Sequence, residues 1–212
     1  MLPFSIPIFP LPSVVLFPNV FLPLHIFEPR YRQMFAEALN GDRMIGMVLL
    51  QPGYEDHYDG NPPIYRTGCS GLITHAERLE DGRYNVVLRG VEKFRIDAEE
   101  EPAAGRLYRS AVITPLDETV MANQRDQLRK ERKRLEAVLQ PLLTNGLEKH
   151  LPPAMPDEDL INALAQYLEF EPIEKLALLE RDGAIARCRS MVELLEMKAF
   201  PGSGNGEPGV RH

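Results

Sequence analysis

The segment PLHIFEPRYRQMF, residues 23–35, brings together ionisable side chains that could do chemistry. Glu28, Arg30, Tyr31 and Arg32 follow one another closely within it. A carboxylate beside guanidinium and phenol groups could serve acid–base or nucleophilic catalysis, provided that the fold holds a base and a nucleophile within hydrogen-bond reach. A carboxylate is also favoured where a helix begins, so the cluster could equally be a structural corner.

The residues around Glu28 favour the structural corner, because they have the pattern of a helix start. Apolar side chains recur at the spacing of one helix face: Tyr31, Met34, Phe35, Ala38 and Leu39. Pro29 suits the first helical position, and Asn40-Gly41 suits the exit. Glu28 then precedes the positive end of the helix dipole, which stabilises a carboxylate by ~0.3 to 1 kcal/mol. The two arginines lie at the unfavourable end, so we expect them to have carboxylate or carbonyl partners elsewhere.

Histidine and cysteine residues form no recognisable ligand pattern. His25 and Glu28 lie three positions apart but straddle the corner, and no HExxH motif accompanies them. Cys69 and Cys188 are 119 positions apart and have no CxxC or Cys/His spacing around them. The sequence therefore predicts no metal site and no cofactor site. It also predicts two reduced thiols in a cytoplasmic protein.

The loop QPGYEDHYDGNPPIYRTG, residues 51–68, is the segment most suggestive of binding. Tyr54, Tyr58 and Tyr65 lie there among turn-forming and acidic residues. Tyrosines on a loop supply amphipathic contact area at low entropic cost, so they could bind a polypeptide. They could also pack back against the β-rich part of the chain, and the sequence supports both interpretations equally.

Charge and proline content argue against nucleic acid and membrane as partners. The net charge of -7 would repel the phosphate backbone that supplies most nucleic-acid affinity. Residues 1–27 contain no charged side chain, but their six prolines would break a spanning helix and no basic residue precedes the apolar run. Because proline removes a strand donor, this run predicts short extended pieces at the rim or edge of a sheet.

Residues 1–116 are predicted to be β-rich with one helix. The apolar run 44–50 predicts a buried strand, and residues 107–114 predict a further one. Asp81-Gly82 has the composition of a hairpin turn. Beyond this turn, apolar residues stand at even-numbered positions and are therefore expected on one face of a strand: Tyr84, Val86, Leu88, Phe94 and Ile96. Gly90 lies among them, and a bend or bulge is expected there.

Residues 117–200 are predicted to be helical, and residues 201–212 are predicted to be a disordered tail. A stripe with seven-residue spacing predicts a charged, largely solvated helix: Met121, Leu128, Leu135 and Leu142. A second helix should bury one face: Leu160, Leu164, Tyr167 and Leu168. Pro172 suits the first turn of the next helix. The last helix should bury another face: Ile185, Cys188, Val192, Leu195 and Ala199.

Four stretches resemble, in order, the substrate-binding N-terminal domain of the ATP-dependent Lon protease. They are FPLPSVVLFPNVFLPLHIFEPRYRQM (9–34), GMVLLQPG (46–53), GCSGLITHAERLEDGRYNVVLRGVEKFRI (68–96) and LPPAMPDEDLINALAQYLEFEPIEKLALLE (151–180). The form that the chain resembles most is the one that stands alone in bacteria, and cereblon contains a similar domain. The resemblance implies an α+β fold, a β-rich PUA-like pseudo-barrel with one early helix followed by a small α-helical bundle.

Missing motifs limit the activity that the resemblance implies. Full Lon has a GxxxxGK[ST] phosphate loop and a Ser/Lys pair in a separate C-terminal domain. This chain has no Gly-Lys dipeptide, no residue that aligns with that domain, and none of the zinc-binding cysteines of cereblon. We therefore expect a non-enzymatic module that binds unfolded or partly folded polypeptides, or a specific protein partner. A cryptic hydrolase and an RNA-binding PUA-like protein remain as alternatives.

Overall fold

The computed structural model of the chain describes residues 3–54, 60–101, 103–140 and 155–199. The strands are β1 (Ser5–Leu11), β2 (Phe21–Ile26), β3 (Met44–Leu50), β4 (Ile64–Arg78), β5 (Tyr84–Glu99) and β6 (Arg109–Pro115). The helices are α1 (Pro29–Asn40), α2 (Arg125–Leu139), α3 (Asp157–Tyr167), α4 (Pro172–Leu179) and α5 (Gly183–Ala199). A short 3-10 turn, Ala122–Gln124, precedes α2. The predicted tail lies outside the described residues.

The strands of the described chain form one mixed sheet that closes on itself. Their order is β2-β5-β4-β3-β1-β6, and β5 also pairs with β6. The strands β1, β3, β4, β5 and β6 therefore make a closed barrel, in which only the β1–β3 pair is parallel. Strand β2 is added outside this ring and, in the described residues, pairs with β5 alone. Together with the five described helices, this architecture confirms the predicted α+β fold.

The long strand β5 changes its neighbours at Gly90. Its first half pairs with β2 and its second half with β6, and its register with β4 shifts between Gly90 and Lys93. A Cβ atom at Gly90 would collide with the carbonyl oxygen of Phe17, so glycine lets the segment before β2 approach closely. That approach is held by hydrogen bonds of 2.9 Å from the Gly90 amide to Val20 and from the Asn19 amide to Gly90. The predicted bulge at this glycine is confirmed.

Two buried clusters fill the protein. The smaller one comes from the five strands of the closed barrel: Ile6, Ile8, Val48, Leu50, Ile64, Phe94, Ile96, Ala111 and Ile113. The larger cluster joins strand residues such as Leu88 to Phe35 of α1 and to Leu128 and Val192 of the later helices. The two groups of residues that precede and follow position 116 thus share one apolar core. The division at that position remains a prediction.

The prolines of β1 lie in a strand that has neighbours on both sides, but each stands where only one of these neighbours pairs. Pro23 does lie in the edge strand β2, but Pro7 and Pro10 lie in β1, between β3 and β6. Strand β6 pairs with residues 5–8 of β1, whereas β3 pairs with residues 8–11. Each of these two prolines therefore has a partner strand on one side only, and its missing N–H can face the other side.

The helix starting at Pro29 and the turn at Gly82 are confirmed, the latter with φ 80°. Two predictions about the buried faces of the helices are wrong. Met121 precedes α2 and is exposed, so the seven-residue stripe does not begin there. Tyr167 is exposed rather than packed in the α3 face, and its hydroxyl donates to the carbonyl of Phe21 at 2.7 Å.

Most side chains of α2 are exposed, as its charged sequence predicts, whereas its apolar stripe is buried. Leu128 and Leu135 are both almost fully buried, and α2 packs against α5. Leu142 lies outside the described residues. A narrow apolar stripe was correctly predicted, but the sequence did not show that another helix covers it.

Candidate functional site

An apolar groove of 740 Å³ opens beside the free edge of β2. We call it the β2 groove. Its walls come from β1, β2, the start of α1, the segments that end β3 and begin β4, and the start of α4. The lining residues are Phe9, Leu11, Pro12, Leu24, His25, Ile26, Phe27, Glu28, Tyr31, Leu49, Leu50, Gln51, Pro52, Tyr54, Tyr65, Glu171, Pro172 and Ile173. Few of these side chains are ionised at neutral pH, so the groove is suited to apolar ligand groups.

Aromatic packing fixes the floor of the groove. The Phe9 ring lies 4.3 Å from Tyr31 and 5.8 Å from Phe35, measured between ring centroids. Phe9 belongs to β1, whereas the other two rings project from the first turns of α1. The Tyr31 hydroxyl also reaches the carbonyl of Pro10 at 3.4 Å. These contacts hold the Phe9 and Tyr31 rings in place, so the floor of the groove consists of packed aromatic side chains.

The rim of the groove exposes large apolar side chains. Phe27, Tyr54 and Ile173 are 60%, 43% and 50% exposed, respectively. Phe27 directly follows β2, and Ile173 is in the first turn of α4. Exposed apolar side chains grouped around a concavity mark a surface suited to binding rather than a packed core.

The cluster of ionisable groups at the strand–helix corner has a structural explanation. Arg30 donates to Glu28 at 2.9 Å, and its guanidinium lies 4.6 Å from the Tyr31 ring centroid. Glu28, two positions earlier in the sequence, is therefore one carboxylate partner of Arg30. Arg32 extends instead to the hairpin turn, where its guanidinium fills the space beside Gly82. These contacts support the interpretation of the segment as a corner.

The structure brings together two of the three tyrosines that the sequence predicted as binding residues. Tyr54 is at the rim of the groove, and Tyr65 is a half-buried wall residue that also packs against the larger core cluster. Tyr58 lies outside the described residues. Sequence reasoning missed Phe27 and Ile173, which lie on either side of the groove. The period-two alternation of Leu22, Leu24 and Ile26 in the sequence could have indicated that Phe27 lies on the other face of β2.

Neither cysteine is placed for nucleophilic chemistry. Cys69 and Cys188 have no exposed surface. Burial raises the pKa of each thiol to about 12, so the nucleophilic thiolate is suppressed at neutral pH. Within the described ranges, no group of three or more His, Cys, Asp or Glu side chains could hold a metal ion.

We expect neither thiol of the folded protein to react with a water-soluble aromatic disulfide at pH 8, whereas both should react once the chain is unfolded. Released chromophore in buffer and in denaturant would measure this. Rapid labelling of the native protein would contradict the burial of these groups.

The same burial makes stability depend on pH. Because the pKa of each thiol in the folded protein, about 12, exceeds the ordinary value of 9.0, the contribution of the thiols to stability is fully present below pH 9.0 and is lost towards pH 12.

A buried ion cluster joins the barrel to the helices. Glu118, in the segment after β6, accepts from Lys93 of β5 at 2.7 Å and from Arg187 of α5 at 2.7 and 2.9 Å. Arg187 also donates to the side chain of Asn162 at 2.6 Å and to the carbonyl of Leu178 at 3.0 Å. Both cations are paired with the Glu118 carboxylate and bonded to further protein groups, which indicates a structural role.

The barrel with its added edge strand and packed helices has the architecture of Lon N-terminal domains. The N-terminal domain of Mycobacterium avium complex Lon protease superposes with a TM-score of 0.64 at 16% identity, over 91% of this chain and 98% of that chain. A Lon N-terminal domain protein from Xanthomonas campestris superposes with a TM-score of 0.60 at 21% identity, over 89% and 97% of the two chains.

Residues 5–197 match the family described as the ATP-dependent protease La (LON) substrate-binding domain, and the chain belongs to this family. The Lon protease of Dictyoglomus thermophilum is 28% identical over 77% of this chain and 19% of its own length. That of Trichlorobacter lovleyi is 27% identical over 92% of this chain and 24% of its own length. The predicted family is confirmed, and the chain spans less than a quarter of each of these two relatives. No helix of the described part is both long and apolar enough to span a membrane.

Proposed function

We propose that this protein is a non-enzymatic module that binds apolar segments of unfolded or partly folded polypeptides in the β2 groove. The observation that carries the proposal is the set of exposed apolar side chains that lines the groove together with a packed aromatic floor. Membership of a family named for substrate binding supports the same conclusion. The proposal concerns this chain and not the proteolytic activity of the longer relatives.

Affinity in such a groove comes mainly from apolar area. A large ligand side chain contributes ~1.5 to 3 kcal/mol when it is fully buried, and the cost of ordering the ligand must be subtracted. Two or three such side chains supply ~3 to 9 kcal/mol before that cost, so we expect binding in roughly the micromolar range or weaker. This strength suits a module that must also release what it holds.

The charge of the groove adds a preference for basic segments. Of its described lining residues, Glu28 and Glu171 carry negative charge, and neither lysine nor arginine is among them. Glu28 is partly neutralised by Arg30, whereas Glu171 is exposed at the start of α4. With the net charge of -7, this favours apolar segments that contain lysine or arginine over acidic ones. Neither the hydrolase nor the RNA-binding alternative gains a comparable supporting observation from the described residues.

We expect the double variant Phe27→Ser/Tyr54→Ser to bind an unfolded polypeptide roughly tenfold to a hundredfold more weakly than the wild type, because two rim contacts are lost. The measurement is fluorescence anisotropy with a labelled, carboxymethylated and therefore permanently unfolded protein. High salt should leave most of the wild-type affinity, because screening weakens only the contribution of exposed charges.

Phe4→Ser is the matched control for this titration. Phe4 is 77% exposed but does not line the groove, so its substitution removes a similar side chain from another surface. We expect it to bind as the wild type does, and all three proteins should have similar thermal stability. Absence of saturable binding by the wild type would refute the proposed function, and equal binding by the double variant would place the site elsewhere.

A further inference from the structure

The backbone of β2 directs its hydrogen-bonding groups alternately towards β5 and towards the open edge. The Gly90 amide donates to the carbonyl of Val20, so even-numbered residues here face β5. The carbonyl of Phe21 instead accepts from the Tyr167 hydroxyl of α3. Across the pair, the carbonyl of Val87, opposite Pro23, points towards β4 and accepts from Thr74. Odd-numbered residues of β2 therefore present their backbone groups outwards.

Pro23 and His25 consequently present three backbone groups along the outer edge of β2 beside the groove, namely the carbonyl of Pro23 and both the N–H and the carbonyl of His25. At Phe21, which does not line the groove, the carbonyl is already bonded and only the N–H faces outwards. Pro23 and His25 are exposed, and the next residues, Ile26 and Phe27, line the groove together with His25. An edge of this kind is a template on which another extended chain can pair.

We propose that a polypeptide in the β2 groove binds as an added β-strand, pairing its backbone with Pro23 and His25 of β2. This mode rests on the proposed function and specifies its ligand as an extended segment with alternating side chains. One set of alternate side chains then enters the apolar groove, while the other remains outside. Main-chain pairing supplies affinity that does not depend on a particular sequence.

Pro23 limits the pairing rather than preventing it. Its ring removes one donor but leaves the carbonyl, so Pro23 and His25 together present two acceptors and one donor. Such an edge cannot form a continuous ladder with a second copy of itself, which guards against aggregation. It can still accept a short segment that supplies two N–H donors and one carbonyl. Lysine at the ends of that segment would complement Glu171 and the negative net charge.

Backbone methylation of a peptide probe tests the pairing directly. The probe is a fluorescein-labelled peptide of alternating valine and threonine with lysine at each end. Two isomers carry N-methyl groups on opposite sets of alternate residues, so each has one blocked edge and identical side chains. We expect one isomer to bind roughly tenfold or more weakly than the parent, because it loses donors to β2, while the other binds like the parent.

The outcomes separate this inference from the proposed function. Equal affinities of the two isomers, or no binding of the parent peptide while the unfolded protein still binds, would overturn the added strand alone. Failure of both the peptide and the unfolded protein to bind would overturn the proposed function itself.

Substitutions at His25 test the same pairing from the side of the protein. His25→Ala reports what the side chain contributes, including its contacts with Asn85 and Arg83. His25→Pro also removes the outward N–H, and we expect a further loss of roughly fivefold in peptide affinity. Thermal unfolding of both variants checks that they are folded. If His25→Pro does not fold, the two methylated isomers alone decide; equal affinity of two folded variants would contradict the pairing.

Discussion

Glu118→Ala is expected to lower the free energy of unfolding by ~3 to 5 kcal/mol, because it leaves two buried cations without their counter-charge. Arg187 is 1% exposed and Lys93 is 5% exposed. Both contact the carboxylate of Glu118, with the shortest distance at 2.7 Å in each case. Little water reaches either cation to replace the lost charge, so the cost exceeds that of an ordinary surface ion pair.

Urea unfolding followed by circular dichroism would measure this effect. Glu136→Ala is the matched control, since it removes an exposed carboxylate whose 2.8 Å pair with Arg132 lies on the surface of α2. That change should cost no more than ~0.5 kcal/mol. Similar midpoints for the two variants would show that the buried cluster contributes no more than a surface pair.

The same cluster also bears on the groove. Arg187 donates to the carbonyls of Leu178 and Leu179 at the end of α4, and the first turn of α4 supplies Pro172 and Ile173 to the groove wall. The position of that wall therefore depends on how the helices are held against the barrel. Helix α4 thus contacts the ion cluster at its end and lines the groove at its start.

Leu128→Ala is expected to lower the free energy of unfolding by ~2 to 5 kcal/mol, because it opens a cavity where α2 packs in the larger core cluster. Leu128 has no exposed surface, and the stripe it shares with Leu135 packs in that cluster. The surrounding side chains come from several elements, so they can collapse only partly into the space left.

Leu107→Ala provides the control for this cavity. Leu107 is 60% exposed in the segment before β6, so the same substitution there should change stability by only about 0.5 kcal/mol or less. Chemical denaturation of both variants gives the comparison. If Leu128→Ala were as mild as its control, α2 would not be part of the cooperative core.

Local structure was predictable where the residues of one short segment determine it. Pro29 and the apolar spacing after it predicted the bounds of α1, and Gly82 predicted the turn between β4 and β5. Gly90 predicted the bulge of β5. These features depend on backbone geometry and side-chain spacing over a few residues, which any sequence displays directly.

The candidate site was only partly predictable. Tyr54 and Tyr65 were recognised because loop tyrosines commonly contact ligands, and the structure places both in one groove. Phe27 was not predicted, because it precedes a charged strand–helix corner and belongs to no loop of the kind that carries the tyrosines. Ile173 gave no signal at all, since an apolar residue in the first turn of a helix is normally expected to pack inwards.

The sequence by itself determined the family, the strand and helix patterns and the apolar character of the groove residues. Only the tertiary structure decided that barrel closure leaves β2 as an open edge, and that residues near positions 9, 27, 54 and 173 surround one groove. The physical reason is that local pattern reports which side of an element is apolar, whereas strand pairing and helix packing decide what covers that side. In this protein they cover the stripe of α2 and leave the apolar rim beside β2 exposed.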